Sequence, residues 1–395
     1  MTGAEVRRDR HIAARLAGFG SSIFAEMTEL AVQTGAINLG QGFPDTDGPP
    51  ELLAHAQAAI ASGQNQYPPA RGLLTLRQAI ADDRAIRYGT PYDPEHEVLV
   101  TTGATAGIAA TFLALCEPGD EIVVFDPCYD SYAASASMAG GTLRPVRLEV
   151  SGQGFGFDPE ELRAVVTPRT RLLLLNSPHN PTGKVFTDAE LATIAACCQE
   201  FDLVAVTDEV HEHLIYDGRT ARTLAALPGM RERTLAISSA GKTFSVTGWK
   251  VGWVCGPADL VRMVLTAHQF LTFNSGTPFQ AAVAVALRDH LDWTDVLRRQ
   301  LTAQRDMLTD GLAAAGFTVL RAEGTYFVQV DARSWGEDDG LAFCRMLPRR
   351  TGVVAIPSVV FYVGANPPRS LVRFAFCKQP KVLSAAVESL TRGRP

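Results

Sequence analysis

From about Asp45 to Leu291 the chain repeats one unit: a short apolar run, a polar or glycine-containing turn, and a longer stretch with helical character. "EVLVTTG" precedes "ATAGIAATFLALC", "EIVVFDP" precedes "YDSYAASASMAG", and "RLLLLNSP" precedes "TDAELATIAACCQEF". "LVAVTDE" and "TLAISSAGK" continue the series. Short β-rich runs alternating with helical stretches predict parallel strands joined by crossovers, and so an α/β layer fold. The runs are nearly continuous in apolar residues, which predicts strands covered on both faces.

After Leu291 the pattern changes. "WTDVLRRQLTAQRDMLTDGLAAAG" reads as a helix, and "TVLRAEGTYFVQVD", "GVVAIPSVVF" and "LVRFAFC" as a smaller sheet with its own helices. With 395 residues the chain exceeds the roughly 100 to 200 residues of one ordinary core. Residues 45–291 are therefore expected to form a large domain. Residues 292–395 form a smaller one, to which residues 1–44 contribute an N-terminal arm. Within the large domain, "SGQGFGFDPEEL" reads as a glycine-rich turn leading to a helix start at Asp158 and Pro159.

A net charge of -6 gives no electrostatic reason to expect nucleic acid or an anionic membrane as partner, so a small molecule is the better expectation. The seven cysteines are odd in number and contain no C-x-x-C pair. They point to the reducing cytoplasm and away from a disulfide framework or zinc knuckle. No run approaches the roughly 18 apolar residues of a spanning helix, and the N-terminus has no apolar core segment of a targeting signal.

In open α/β sheets ligands bind beyond the carboxyl ends of the strands, so polar residues there are the first candidates for chemistry. Four strand ends carry them. In "VTTGATAGIAA" a strand ending at Thr102 meets a helix beginning near Ala104, and the free N–H groups of Ala104, Thr105 and Ala106 would form an anion site, with Gly103 permitting close approach. In "NSPHNPTG", Asn176 and Asn180 share a turn stiffened by two prolines. Asp208 ends the run "LVAV", where a carboxylate is costly unless a cation meets it. In "SSAGKTF", Lys242 follows a buried strand, where desolvation lowers an amine's pKa and makes it a nucleophile. An anion cradle, a carboxylate, amide donors and an imine-forming lysine at one sheet edge are what pyridoxal 5'-phosphate requires.

The sequence resembles the class I aminotransferases of fold type I. Within them it is similar to the kynurenine, glutamine and methionine transaminases and the N-succinyldiaminopimelate aminotransferases. The likeness rests on "NLGQGFPD" at 38, "NQYPP" at 65, "YDSY" at 129, "NSPHNPTG" at 176, "TDEV" at 207, "SSAGKTF" at 238, "TGWKVGW" at 247, "GTYF" at 324 and "VRFAFCK" at 372. It implies a mainly parallel large-domain sheet, a smaller α+β domain built from both termini, and ping-pong transfer of an amino group from an amino acid to a 2-oxo acid. The resemblance makes Lys242 the Schiff-base lysine, Asp208 the partner of the pyridine nitrogen, Asn180 a donor to the ring hydroxyl with Asn176 nearby, and Tyr129 the residue stacked on the ring. Ser239, Lys250 and the amides of Ala104 to Ala106 would hold the phosphate, with Tyr67 reaching in from the second subunit of a homodimer. Arg373 would clamp the substrate carboxylate. Phe24, Gly42 and Phe273 would line the substrate pocket, with Phe279 adding to its aromatic edge.

Arg373 has independent support, because an alternating strand places it with Leu371 and Ala375, where a guanidinium needs an anion. The sequence departs from the family at His211, where a tyrosine is usual three residues after the aspartate. An imidazole can donate the same hydrogen bond, but it can also act as acid or base. It therefore raises an alternative: C–S β-elimination or β/γ-replacement on the same fold. His211 and His213 could share a strand face, but without a third ligand no metal site is expected.

Overall fold

The computed structural model describes residues 13–20 and 23–394. The rest of the expected N-terminal arm, residues 1–12, 21 and 22, and Pro395 lie outside the described residues.

The predicted apolar runs form one seven-stranded sheet. In spatial order its strands are Val98–Thr102, Val251–Cys255, Thr234–Ser239, Val204–Asp208, Thr170–Asn176, Glu121–Asp126 and Thr142–Arg147. The last five pair in parallel, whereas Val251–Cys255 runs antiparallel to both of its neighbours. The sheet is thus mixed, with a parallel majority. Helices cover both faces, which is why the strands carry no polar alternation: Val204–Asp208 and Thr234–Ser239 are buried almost throughout.

A second sheet of four strands is built from Thr318–Val319, Phe327–Asp331, Leu371–Ala375 and Ile356–Pro357, each antiparallel to its neighbours. Its core gathers Met27, Ala31 and Leu39 from near the N-terminus with residues from Leu297 to Leu390. Leu214 and Tyr216 enter that same core from the middle of the chain, and Trp293 packs against it and against the helices of the large sheet. The glycine-rich stretch is more ordered than a turn. Glu149–Ser151 and Gly154–Gly156 pair as a short hairpin, and the helix Pro159–Ala164 begins after it, capped by the Asp158 carboxylate.

Behind the segment that follows Asp208 lies a buried ionic network. Arg84 bonds Glu209 at 2.6 Å and Glu212 at 3.2 Å. Tyr88 and Ser238 donate to Glu212, each at 2.5 Å, and Thr207 and Thr223 donate to Glu209. Two carboxylates this far from water persist because one guanidinium and several hydroxyls satisfy them. Their attachment fixes the turn that presents Val210 and His211. Replacing Arg84 with Met strands both carboxylates, and the expected loss of unfolding free energy is about 3–5 kcal/mol. This is checked by the shift in the midpoint of chemical denaturation.

Candidate active site

Asn176 and Asp208 are direct partners at the ends of two parallel strands, and Asp208 faces Ile237 on the next. Two residues beyond Ile237 that strand ends at Ser239, and the short helix Ala240–Thr243 carries Lys242. The antiparallel strand pairs Val251 with Thr102, so Lys250, immediately before it, reaches the same edge from the opposite direction. A cavity of about 500 Å³ opens there, and Asn176, Asp208, Ser239, Lys242, Lys250 and Val251 contribute to its wall.

At one end of the cavity is the start of the helix Gly103–Leu115. Gly103 has φ of 76°, and a Cβ on it would lie 3.3 Å from Cε and 3.6 Å from Nζ of Lys250. A Cβ on Gly252 would lie 2.5 Å from the carbonyl carbon of Gly103. The two glycines therefore let strand and helix start cross closely enough to bring an ammonium beside free backbone N–H groups, which together favour an anion. Thr105, Ser239 and Thr247 add hydroxyls to the wall. Ala106 does not line the cavity. The helix begins at Gly103, one residue earlier than expected, and Ala106 falls where backbone N–H groups begin to find intrahelical carbonyls.

Next to the cradle stands Asp208, 4% exposed. Its Oδ2 accepts a 2.6 Å hydrogen bond from Tyr132 and its Oδ1 a 3.2 Å bond from the Val210 N–H. Both donors are neutral. Burial raises the Asp208 pKa, and these bonds and the field of Lys242 oppose the rise. Burial lowers the pKa of Lys242, with Asp208 opposing. The amine is thereby shifted toward its free-base, nucleophilic form. Asn176 spends its amide on the turn, donating to the Asp208 carbonyl at 2.9 Å and accepting from the Asn180 N–H at 2.7 Å. Asn180 gives its side-chain oxygen to Arg373 at 2.9 Å, which leaves its –NH₂ as the donor. Tyr129 hydrogen-bonds with Thr105 and meets Tyr132 edge to face at 5.7 Å.

His211 lines the cavity at 2% exposure, and neither ring nitrogen has a hydrogen-bond partner among the described residues. The edges of Tyr326 and Phe327 hold the ring at centroid distances of 5.2 and 6.3 Å. Burial, with Lys242 and Arg373 adding to it, keeps its pKa well below the usual imidazole range. The ring is neutral, with one N–H to give. His211 does not share a strand face with His213: the strand stops at Asp208 and both histidines sit in the following turn. Among the described residues no three His, Cys, Asp or Glu side chains are placed to hold a metal.

Arg373 is 2% exposed, and burial pulls its pKa down to about 9. Among the described residues its hydrogen-bond partners are neutral oxygens, Asn180 Oδ1 at 2.9 Å and the Gly40 carbonyl at 3.3 Å, and its Nε has none. The guanidinium lies over the rings of Phe327, Phe361 and Phe24 at 3.8, 4.6 and 5.5 Å. Such a cation is completed by an anion brought from outside. Gly42 lines the wall beside it, its carbonyl held by Tyr326 at 2.6 Å. A Cβ there would come within 2.5 Å of Phe327.

Three expected aromatic residues, Tyr67, Phe273 and Phe279, lie apart from the cavity of the single chain. Tyr67 is 88% exposed and meets Phe273, also exposed, edge to face at 5.5 Å. Phe279 stacks on Trp249 at 4.8 Å and packs with the helices of the large sheet, not with the pocket. Sequence reasoning missed Tyr132, Tyr326 and Phe327 as cavity residues. Tyr132 was discoverable, because it follows Tyr129 by three residues at a helix start and so shares its face. For Tyr326 and Phe327 the signal was the aromatic pair in "GTYF", whose partner across the cavity lies far away in sequence.

Among the described residues, an anion cradle, a buried carboxylate without a contacting cation, a donor left on Asn180 and an imidazole without a hydrogen-bond partner surround one lysine, a set that fits pyridoxal 5'-phosphate. Residues 34–390 match the family described as Aminotransferase class I and II. The chain is 50% identical over 385 residues to a probable N-succinyldiaminopimelate aminotransferase of Mycobacterium tuberculosis, covering 95% of this chain and 97% of that one. It is 39% identical over 377 residues to a methionine aminotransferase of Escherichia coli, covering 95% and 97%. The solved N-succinyldiaminopimelate aminotransferase structure from Mycobacterium tuberculosis superposes with a TM-score of 0.95 at 50% identity, over 97% of this chain and all of that one. The chain belongs to the class I and II aminotransferases, fold-type I enzymes that use pyridoxal 5'-phosphate to move an amino group from an amino acid to a 2-oxo acid.

Proposed function

We propose that Lys242 is the lysine through which this transfer runs, in a ping-pong cycle on a methylene-rich or aromatic amino acid. The observation that carries the assignment is a half-buried amine, Lys242, sharing one cavity with a buried carboxylate, Asp208, which no cation contacts among the described residues. When bound, the cofactor supplies an electron-withdrawing ring that stabilises charge at the substrate Cα. The residues do the rest. Gly103, Ala104, Thr105, Ser239 and Lys250 would hold the phosphate, and Asp208 would keep the ring nitrogen protonated. Asn180 and His211 would donate to the ring oxygen, and Tyr129 would pack against the ring. Arg373 binds the substrate carboxylate and so turns the Cα–H bond toward Lys242, whose Nζ accepts that proton and hands it on. With its pKa held low, His211 serves as a hydrogen-bond donor, which favours transfer over elimination.

The proposal extends to the assembly: a homodimer in which Tyr67 and Phe273, solvent-exposed in the single chain, complete the partner's site. It also divides the chain into a large domain over 45–291 and a small domain drawn from both ends. All seven cysteines are free and buried, in keeping with a reducing compartment such as the cytoplasm. No helix of the described residues is long and apolar enough to cross a membrane.

Beyond Arg373 the wall is aromatic, with Phe24, Phe43, Tyr326 and Phe327, and the cations among the described lining residues are Lys242, Lys250 and Arg373. This supports a donor with a methylene-rich side chain, a feature common to methionine and N-succinyldiaminopimelate. It disfavours a short second carboxylate, which would be buried unpaired. Steady-state assays with single donors and a 2-oxo acid acceptor are expected to give methionine or N-succinyldiaminopimelate at least a roughly hundredfold advantage in kcat/KM over aspartate. Equal use of aspartate sinks the substrate assignment.

Replacing Lys242 with Ala is expected to abolish the visible absorption of the cofactor-loaded protein and to lower kcat by at least about a thousandfold. Retained turnover refutes the site. Arg373→Lys loses the planar fork, and KM for the amino acid is expected to rise about 10- to 100-fold with a smaller change in kcat.

A further inference from the structure

Tyr132 is absent from the chemistry described above, yet its hydroxyl makes the shortest polar contact to Asp208, at 2.6 Å. It lies in the first turn of the helix Ser131–Met138, one turn after Tyr129, and is 2% exposed. It belongs to the buried apolar cluster that also holds Leu99, Ile108 and Cys128, an environment that asks for an aromatic side chain but not for a hydroxyl. The hydroxyl is a buried polar atom whose hydrogen bond goes to one carboxylate oxygen. The same ring stands perpendicular to Tyr129, at 89°. One side chain therefore fixes both the carboxylate that meets the ring nitrogen and the aromatic ring that covers the cofactor face.

Asp208 needs this help. Its other oxygen is held by a longer bond from a backbone N–H, and among the described residues no cation contacts it. Burial opposes its ionised form, and the phenol bond is the largest opposing influence. Arg84 is not available to the carboxylate, since it is committed to Glu209 and Glu212. An unionised or rotated Asp208 could not pair with a protonated pyridine nitrogen.

Resting on the assignment of Asp208 to that nitrogen, we propose that Tyr132 is a positioning residue that holds Asp208 ionised and aimed at the ring nitrogen of the cofactor. It acts through Asp208 and touches neither the substrate nor the transferred proton. The loss of one hydrogen bond to a charged group sets the size of the effect, about 10- to 100-fold in cofactor affinity.

The test compares two ligands on the full-length protein stripped of cofactor, with binding followed by absorbance. One ligand is pyridoxal 5'-phosphate, and the other is its analogue with carbon in place of the ring nitrogen. For Tyr132→Phe, Kd for the natural cofactor is expected to rise about 10- to 100-fold relative to the parent protein. Kd for the analogue is expected to stay within about twofold of the parent's, because the analogue has no nitrogen for Asp208 to meet. Equal losses for both ligands would mean that Tyr132 only shapes the pocket, and no loss for either would mean that its bond to Asp208 is idle; each result overturns the proposal. Where the phenylalanine variant does not fold, the same ratio is read on Tyr132→Met, which also removes the donor while keeping an apolar side chain, and unequal losses again support the proposal while equal ones overturn it. Failure of the unmodified protein to bind pyridoxal 5'-phosphate would instead refute the site assignment on which this inference rests.

Discussion

Everything at the site depends on the register of adjacent parallel strands. Because Asn176 and Asp208 are direct partners and Asp208 faces Ile237, the polar residues that end these strands emerge on one line. Parallel strands alone would supply an edge. The antiparallel strand Val251–Cys255, inserted between two others, supplies Lys250 at the same edge from the opposite chain direction. The close crossing of Gly103 and Gly252 then sets how near that lysine comes to the helix start.

The charges around the cavity are arranged with a common logic. Asp208 and Arg373 are both buried, and both are satisfied by neutral partners where a counterion would be expected. Each is a cost to the empty fold, because a desolvated charge without an ion partner is unfavourable. The cost has the form of preorganisation: both charged groups are fixed at the cavity wall, where a ligand of opposite charge would answer them. The contrast with Arg84, Glu209 and Glu212 is instructive. There the carboxylates and guanidinium pair among themselves and the result is a rigid scaffold with no vacancy for a ligand.

Much of this was legible in the chain itself. Asp208, which ends an apolar run, Arg373, which interrupts one, and Lys242, which follows one, stood out because physical chemistry asks for a reason there, while Asn180 stood out as an amide in a proline-stiffened turn; the fold brings all four to one cavity. The anion cradle was found for the same reason, although the helix begins one residue earlier than read and so excludes Ala106. Phe279 was misplaced because an aromatic residue in sequence gives no sign of which neighbour it will stack upon, and Trp249 took it. The two histidines looked like strand neighbours by spacing, but the Arg84 network draws the backbone into a turn directly after Asp208.

The sequence by itself determined the layer architecture and, through its combined motifs, the family and its cofactor, and it marked the polar strand ends that the fold gathers around one cavity, because hydrophobic period and strand-end polarity are local properties. The tertiary structure alone decided how the charges are answered. It gave Tyr132 to Asp208, stacked three aromatic rings on Arg373, spent the Asn176 amide on its own turn and left His211 neutral and unpartnered. Those outcomes depend on side chains as much as 349 residues apart, Phe24 and Arg373, meeting in one water-poor space, and no local pattern carries that information.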